Sequence, residues 1–264
     1  MNTIRFKRAL AHLWALRSSK RPRRVIVYYH AIGAGSNATP NVLFKRQMEW
    51  LAMNAEVMSL DGLLSGSGER PLQAAITFDD GYASVAMNAA PILRDLGLPA
   101  TVYINTAWMG EENRRNSEPK LGHYPGEQFM TWRDIELLTK QNWTIGSHGA
   151  EHLDLTTVDN ARMAMELSSS KQMIEDRLGR ECQHFAYTWG RYTKQVQQAV
   201  AGAHYKTAVS AVHGPVGNSS DPFALPRIDI SKQYSLEDFQ AVVRGDWDFL
   251  GGIQRARRVA QGLV

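Results

Sequence analysis

Short runs of β-branched and aromatic residues alternate along this chain with longer stretches of helical spacing. Val25–Tyr29 (VIVYY) and Ala74–Phe78 have no helical period and read as buried strands. After the second run comes the turn Asp79-Asp80-Gly81, then a helical pattern from about Ala83 to Leu96 that stops at Gly97, with Pro99 just beyond. Thr101–Ile104 is the next strand. Strand, helix and strand at this spacing form a βαβ unit, which requires parallel strands.

The alternation continues. Thr131 followed by Asp134 predicts a helix N-cap, a weaker relative of the capping box, ahead of strand Trp143–Ser147. A helix is expected from about Asp159 to Leu178, ending at Gly179, then strand His184–Thr188, helix Lys194–Ala201, and strands Lys206–Ser210 and Leu225–Ile230. Residues 235–258 read as helical with a break at Gly245, and Met109–Phe129 has no period, as in a long loop that covers a site. Seven or eight such units predict an α/β fold, a distorted (β/α) barrel of seven or eight parallel strands with its chemistry at the strands' C-terminal ends. The pattern alone does not separate a closed barrel from an open doubly wound sheet.

Composition narrows the picture. With 264 residues, 44% of them hydrophobic, and no linker or repeat, one domain over 25–264 is expected. The single cysteine, Cys182, excludes an internal disulfide and a cysteine-built zinc site, and a packing role is expected for it. The net charge of +4 is uneven: residues 1–24 hold eight basic and no acidic residues, so the rest sums to −4. Interleaved Ile4, Phe6, Leu10, Leu13, Trp14 and Leu16 make this arm a short amphipathic helix, suited to an anionic membrane surface or to packing on the barrel. It lacks the pattern of a signal peptide, and no apolar run is long enough to span a bilayer, so a cytoplasmic protein, possible at the inner membrane face, is expected. The acidic balance beyond the arm argues against nucleic acid as a partner. Oligomeric state is not legible.

Two constellations fall where strands end. In Thr77-Phe78-Asp79-Asp80-Gly81, adjacent carboxylates repel one another unless a cation relieves them. In Ser147-His148-Gly149-Ala150-Glu151-His152, histidines at i and i+4 would share one face of a helical turn and ligate one metal. Two histidines and one carboxylate leave coordination positions open, which is a catalytic rather than a structural pattern, and Zn²⁺, Co²⁺ and Ni²⁺ all tolerate it.

Together these motifs resemble those of the polysaccharide deacetylase family, the NodB-homology carbohydrate esterases. Thr77–Gly81 matches the family's first motif in full, and His148 and His152 match the second in spacing, with Gly149 in place of a hydroxyl residue. Phe185-Ala186-Tyr187-Thr188-Trp189-Gly190 is similar to the Phe-Ala-Tyr-Pro-x-Gly motif of one branch, as are Tyr29-His30 and Leu225-Pro226-Arg227-Ile228. The resemblance implies a metal-dependent hydrolase removing N-acetyl groups from an amino-sugar polysaccharide or glycoconjugate, in a setting such as exopolysaccharide biosynthesis. Asp80, His148 and His152 would hold the metal, expected to be Zn²⁺. Asp79 would be the general base for a metal-bound water, and the Trp189 backbone N–H would receive the oxyanion.

The match has gaps. Ala186 stands where many relatives have a base-orienting arginine, a role open to Arg227, and the family's late proton-donating histidine is absent. Among His30, His204 and His213, His30 is the best-placed acid, directly after the first barrel strand, and a histidine suits the task. Trp189 and Tyr187 read either as core aromatics or, for Trp189, as a sugar-stacking wall. An O-acetyl esterase, a small cyclic amidase and a carbohydrate-binding pseudo-enzyme remain as alternatives.

Overall fold

The computed structural model describes Arg8 and residues 22–264. Strands β1 (Arg23–Tyr29), β2 (Glu56–Val57), β3 (Leu72–Phe78), β4 (Ala100–Ile104), β5 (Trp143–Ser147), β6 (His184–Ala186), β7 (Thr207–Val209) and β8 (Ile228–Asp229) form one sheet. Its order is β7-β6-β5-β4-β3-β1-β8, with β2 beside β3, and every strand pair is parallel. The curled sheet is joined by the last segment: Leu225 bridges to Val209 of β7, and three residues later Ile228 pairs with Val27 of β1. The chain is thus a distorted (β/α) barrel, and the open doubly wound alternative is set aside.

Alternation along the strands sorts the core into two compartments. Ile26 of β1 joins Ala75, Tyr103, Ala186, Val209 and Leu225 inside the barrel. Its neighbours Val25, Val27 and Tyr29 face the surrounding helices. Those helices are α1 (Asn41–Asn54), α2 (Leu60–Ser65), α3 (Ala90–Asp95), α4 (Trp132–Thr139), α5 (Asn160–Leu178), α6 (Lys194–Gly202), α7 (Leu236–Arg244) and α8 (Phe249–Ala260).

Helix ends follow local chemistry. Thr131 and Asp134 form a complete capping box on α4, with both reciprocal hydrogen bonds present, and Gly179 closes α5 in the left-handed conformation. The expected break at Gly245 separates α7 from α8. Sequence reading missed α1, which buries Phe44, Gln47, Met48, Trp50 and Leu51, and whose cap residue is Pro40 with no side-chain cap.

The basic arm falls largely outside the described residues. Arg8 is helical and ion-pairs with Asp238 of α7, and Arg23 and Arg24, counted with the arm, begin β1. Among the described residues no helix is long and apolar enough to cross a membrane. Cys182 is buried and unpaired, its thiol pushed up to about 12 by burial, as expected of a packing residue.

Candidate active site

Strand register brings the candidate residues onto one rim. Tyr29 pairs with Phe78, and the ladder runs one step further as the Asp79 N–H donates to the Tyr29 carbonyl at 2.9 Å. On the next strands Ile104 pairs with Ser147, and the His148 N–H donates to the Ile104 carbonyl at 2.9 Å. His30, Asp79, Asp80 and His148 therefore all leave the barrel at the same end.

Asp79 and Asp80 are both buried, but their partners differ completely. Arg227 grips Asp79 with two parallel hydrogen bonds of 2.7 Å, NH1 to Oδ1 and NH2 to Oδ2. Its Nε donates to the Ser210 carbonyl at 2.9 Å, and the guanidinium lies 4.1 Å from the centre of the Tyr28 ring. Such a fork both neutralises and orients a carboxylate. Burial alone would raise the Asp79 pKa, yet the Arg227 charge and hydrogen bonds hold it below the usual carboxylate range. Arg227 stands where the sequence left a gap, and it is 1% exposed rather than part of a surface ion pair.

Asp80 faces the histidines. His152 Nε2 lies 3.3 Å and His148 Nε2 3.5 Å from Asp80 Oδ1, and ligand atoms of the three residues all lie within 4.8 Å of one another. Each histidine already has its other nitrogen engaged: His148 Nδ1 meets the Ala186 carbonyl at 2.7 Å, and His152 Nδ1 meets the Leu121 carbonyl at 2.7 Å. A ring that donates from Nδ1 presents a lone pair at Nε2, the arrangement of metal-ligating histidines. Asp80 Oδ1 is buried with no hydrogen-bond partner among the described residues. A buried carboxylate oxygen without a donor is costly, and a cation among these three atoms would satisfy it. The residues fit a divalent metal.

Charge in the triad is unevenly supported. Burial lowers the His148 pKa to about 4. Burial also works against charge on His152, but the adjacent Asp80 carboxylate and the Leu121 carbonyl outweigh it and leave the pKa raised. Asp80 itself, despite burial, is held well below the ordinary range by His152, His30 and His148.

The histidine pair is not a helical turn, as its spacing suggested. His148 follows β5 directly, and the chain returns through positive φ at Gly149 (85°) and His152 (66°), so a loop brings i and i+4 together. Asp80 (71°) and Trp189 (51°) share this left-handed backbone; three of the five non-glycine residues with positive φ among those described belong to the site. Concentration of such strain is typical of functional rims.

Trp189 is not a core aromatic. It is 44% exposed, its ring lies 4.7 Å from that of His152, and it forms one wall of the site, whereas Tyr187 is buried and donates to the Phe223 carbonyl. His30 is half-buried, stacked 5.1 Å from Tyr124 and edge-on to Tyr28. A cavity of about 260 Å³ opens beside it, lined also by Asn37, Thr39, Tyr124, Asp229 and Lys232. The other two histidines leave the site: His204 is exposed at the end of α6, and His213 is buried with Nε2 3.6 Å from Asp248.

Sequence reading missed the part played by the 109–129 loop beyond its covering position. Leu121 orients His152, and the Tyr124 N–H donates at 2.6 Å to the hydroxyl of Tyr82, whose pKa is raised by burial and by nearby Asp80. His123 packs 4.8 Å from His152 and against Trp108 and Phe129. Its Nδ1 accepts from the Glu118 N–H at 3.3 Å, its Nε2 has no partner, and burial lowers its pKa to about 4. Gly122 leaves room for Trp189: a Cβ there would come within 2.5 Å of the indole nitrogen. The signal available was the aperiodic Leu121-Gly122-His123-Tyr124, which carries no spacing that points to a metal site.

A family model described as polysaccharide deacetylase matches residues 68–208, more than half of the chain. The chain belongs to the polysaccharide deacetylase family. It is accordingly a hydrolase of the deacetylase type. A putative polysaccharide deacetylase, YxkH of Bacillus subtilis (strain 168), is 24% identical over 234 residues, spanning 86% of this chain and 78% of the relative. A poly-beta-1,6-N-acetyl-D-glucosamine N-deacetylase of Staphylococcus aureus (strain N315) is 26% identical over 200 residues, 71% of this chain and 66% of that protein. Among solved structures, Streptococcus pyogenes deacetylase PplD in complex with acetate superposes with a TM-score of 0.72 at 21% identity, covering 84% of this chain and 98% of that one. IcaB from Ammonifex degensii gives 0.70 at 19% identity, covering 85% and 98%. These two likenesses show the shared fold.

Proposed function

We propose that this deacetylase removes N-acetyl groups from amino-sugar units of a polysaccharide or glycoconjugate and depends on a divalent cation, Zn²⁺ first among the candidates, with Co²⁺ and Ni²⁺ also compatible. One observation carries the reading: a carboxylate locked by arginine, Asp79, stands next in sequence to a second carboxylate, Asp80, whose orphaned oxygen faces two histidine Nε2 atoms.

Asp80, His148 and His152 would hold the cation. Bound there, it supplies Lewis acidity toward the acetamide carbonyl and lowers the pKa of water toward about 7. The chain's own groups do the rest. Asp79 accepts the proton of the attacking water. Arg227 keeps it ionised and aimed, at a loss of basicity that the water's raised acidity offsets. The Trp189 N–H, on its left-handed turn, receives the developing oxyanion. His30 delivers a proton to the departing amine from the position directly after β1, beside the strand end that carries Asp79 and Asp80. The sugar bearing that amine would lie against His30, where the cavity of about 260 Å³ has room for it. The curated S. aureus relative is named for poly-beta-1,6-N-acetyl-D-glucosamine, which makes oligomers of that sugar the first substrates to try. For the arm, residues 1–24, we propose peripheral contact with the inner face of the membrane, tested by sedimentation with anionic vesicles.

The test is acetate release from a series of N-acetylglucosamine oligomers after metal removal and again with Zn²⁺, Co²⁺ or Ni²⁺ restored. Release only with metal is expected. Equal release from the stripped protein would overturn the metal dependence, and release from O-acetyl esters alone would replace the amide substrate.

A further inference from the structure

His148 and His152 belong to one loop, and that loop has little structure of its own: it has positive φ at both Gly149 and His152. Its carbonyls are held by the segment after β4, where the Thr106 N–H donates to Gly149 at 3.2 Å and the Ala107 N–H to Ala150 at 2.9 Å, and its N–H groups are held from α5. Glu166 of that helix is buried, and a single carboxylate oxygen, Oε2, accepts hydrogen bonds from two successive backbone N–H groups of the loop, Ala150 at 2.9 Å and Glu151 at 3.0 Å. The other oxygen, Oε1, lies 3.2 Å from Arg162 one turn earlier on α5, and Arg162 also reaches the Glu151 carboxylate at 2.7 Å. At the start of the loop the Gly149 N–H donates to Ser147 Oγ at 3.1 Å, and Ser147 Oγ donates to Ser170 Oγ of α5 at 2.8 Å. Every residue between the two histidines is therefore tied, directly or through Ser147, to one face of α5.

We infer that Glu166 is a positioning residue for the metal site: it sets the separation of His148 and His152 and so preorganises their Nε2 atoms. The inference rests on the reading that Asp80, His148 and His152 hold a divalent cation. It also accounts for Gly149, the position where the family has a hydroxyl residue. A Cβ at Gly149 would lie 3.2 Å from Glu166 Oε2, on a backbone with φ of 85° that side chains rarely adopt. The carboxylate occupies the space that a side chain at 149 would take. Outer partners of metal ligands typically govern affinity by about 10–100-fold.

Because both N–H bonds go to one oxygen, two substitutions separate this role from charge and from folding. Glu166→Gln can keep its amide oxygen on the two N–H groups while losing the ion pair with Arg162. Glu166→Ala loses both. The experiment is Zn²⁺ titration of the metal-free protein against a competing chelator, with thermal unfolding of the same metal-free samples. Glu166→Ala should weaken Zn²⁺ binding by about 10–100-fold, Glu166→Gln should stay close to the unaltered protein, and excess Zn²⁺ should restore turnover in both. Should Glu166→Ala not fold, Gly149→Ala, which presses on the same oxygen, should weaken Zn²⁺ binding in its place. Unchanged affinity in the folded alanine variant, or an equal loss in Glu166→Gln, would overturn the positioning role. If the unaltered chain bound neither Zn²⁺, Co²⁺ nor Ni²⁺, the metal reading itself would fall, a result distinct from either of these.

Discussion

Asp79 and Asp80 are adjacent in sequence and equally buried, yet the barrel treats them in opposite ways. Asp79 is supported from the strand side: Arg227 immediately precedes β8, Nε of that arginine is fixed by Ser210 just beyond β7, and Tyr28 of β1 lies under the guanidinium. Asp80 is supported from the loops: its histidine partners are on the turn after β5, and one of them is oriented by Leu121 of the 109–129 segment. The first carboxylate is satisfied within the protein. The second has an oxygen with no hydrogen-bond partner among the described residues. On the proposed reading the difference separates an oriented base from a metal ligand, with proton transfer held by the strand frame and the cation by a loop anchored to α5.

The largest expected effect comes from breaking the satisfied half. Arg227→Met leaves Asp79 as an uncompensated buried charge and should cost about 3–5 kcal/mol of stability. It should also reverse the pH dependence. With Arg227 in place the Asp79 pKa is depressed, so the pair's stabilisation is present above the unfolded value of about 3.9 and is lost as pH falls through the folded value. Without it burial, the largest remaining influence and opposed only by His148 and His30, raises the pKa, so the variant should lose stability as pH rises from acid toward neutrality. Urea denaturation midpoints across that range report the sign, and a midpoint profile parallel to that of the unaltered protein would contradict the role given to Arg227.

His152→Ala acts on the other half. It should abolish tight Zn²⁺ binding, and because it removes no bidentate buried ion pair such as Arg227 makes with Asp79, metal-free stability should change far less than in Arg227→Met. His30→Ala should keep Zn²⁺ affinity and lower kcat by about 10²–10⁴-fold, the usual range for a lost general acid. That loss should be smaller on acetate esters with good leaving groups, which need less protonation. Gly122→Ala is the mildest probe of the loop. Its Cβ would meet the Trp189 indole on a backbone with φ of 85°, so the expected change is a higher KM for oligomers together with a loss of about 1 kcal/mol in stability.

The two halves were not equally legible in the sequence. Asp79-Asp80-Gly81 after an apolar run, His148 after another and Arg227 beside a last strand are set by the period of a parallel barrel, which places residues after each strand on one rim. The strand-borne half could therefore be read by counting. Leu121, His123, Tyr124 and Glu166 act through backbone carbonyls, ring packing and a helix face, and no residue spacing encodes those contacts. The helical reading of His148 and His152 failed for the same reason: the i, i+4 interval is shared by a helical turn and by a loop folded back through left-handed residues. Helix α1 escaped because the segment between the first two apolar runs was not resolved into elements and begins after Pro40 without a side-chain cap.

The division of labour between neighbouring carboxylates is tested most directly by measuring Zn²⁺ affinity and acetate release side by side in Asp79→Asn and Asp80→Asn. The account predicts that Asp79→Asn still binds Zn²⁺ while releasing no acetate from N-acetylglucosamine oligomers, and that Asp80→Asn loses Zn²⁺ binding together with turnover. Asp79→Asn losing the metal, or Asp80→Asn keeping it, would contradict the assignment.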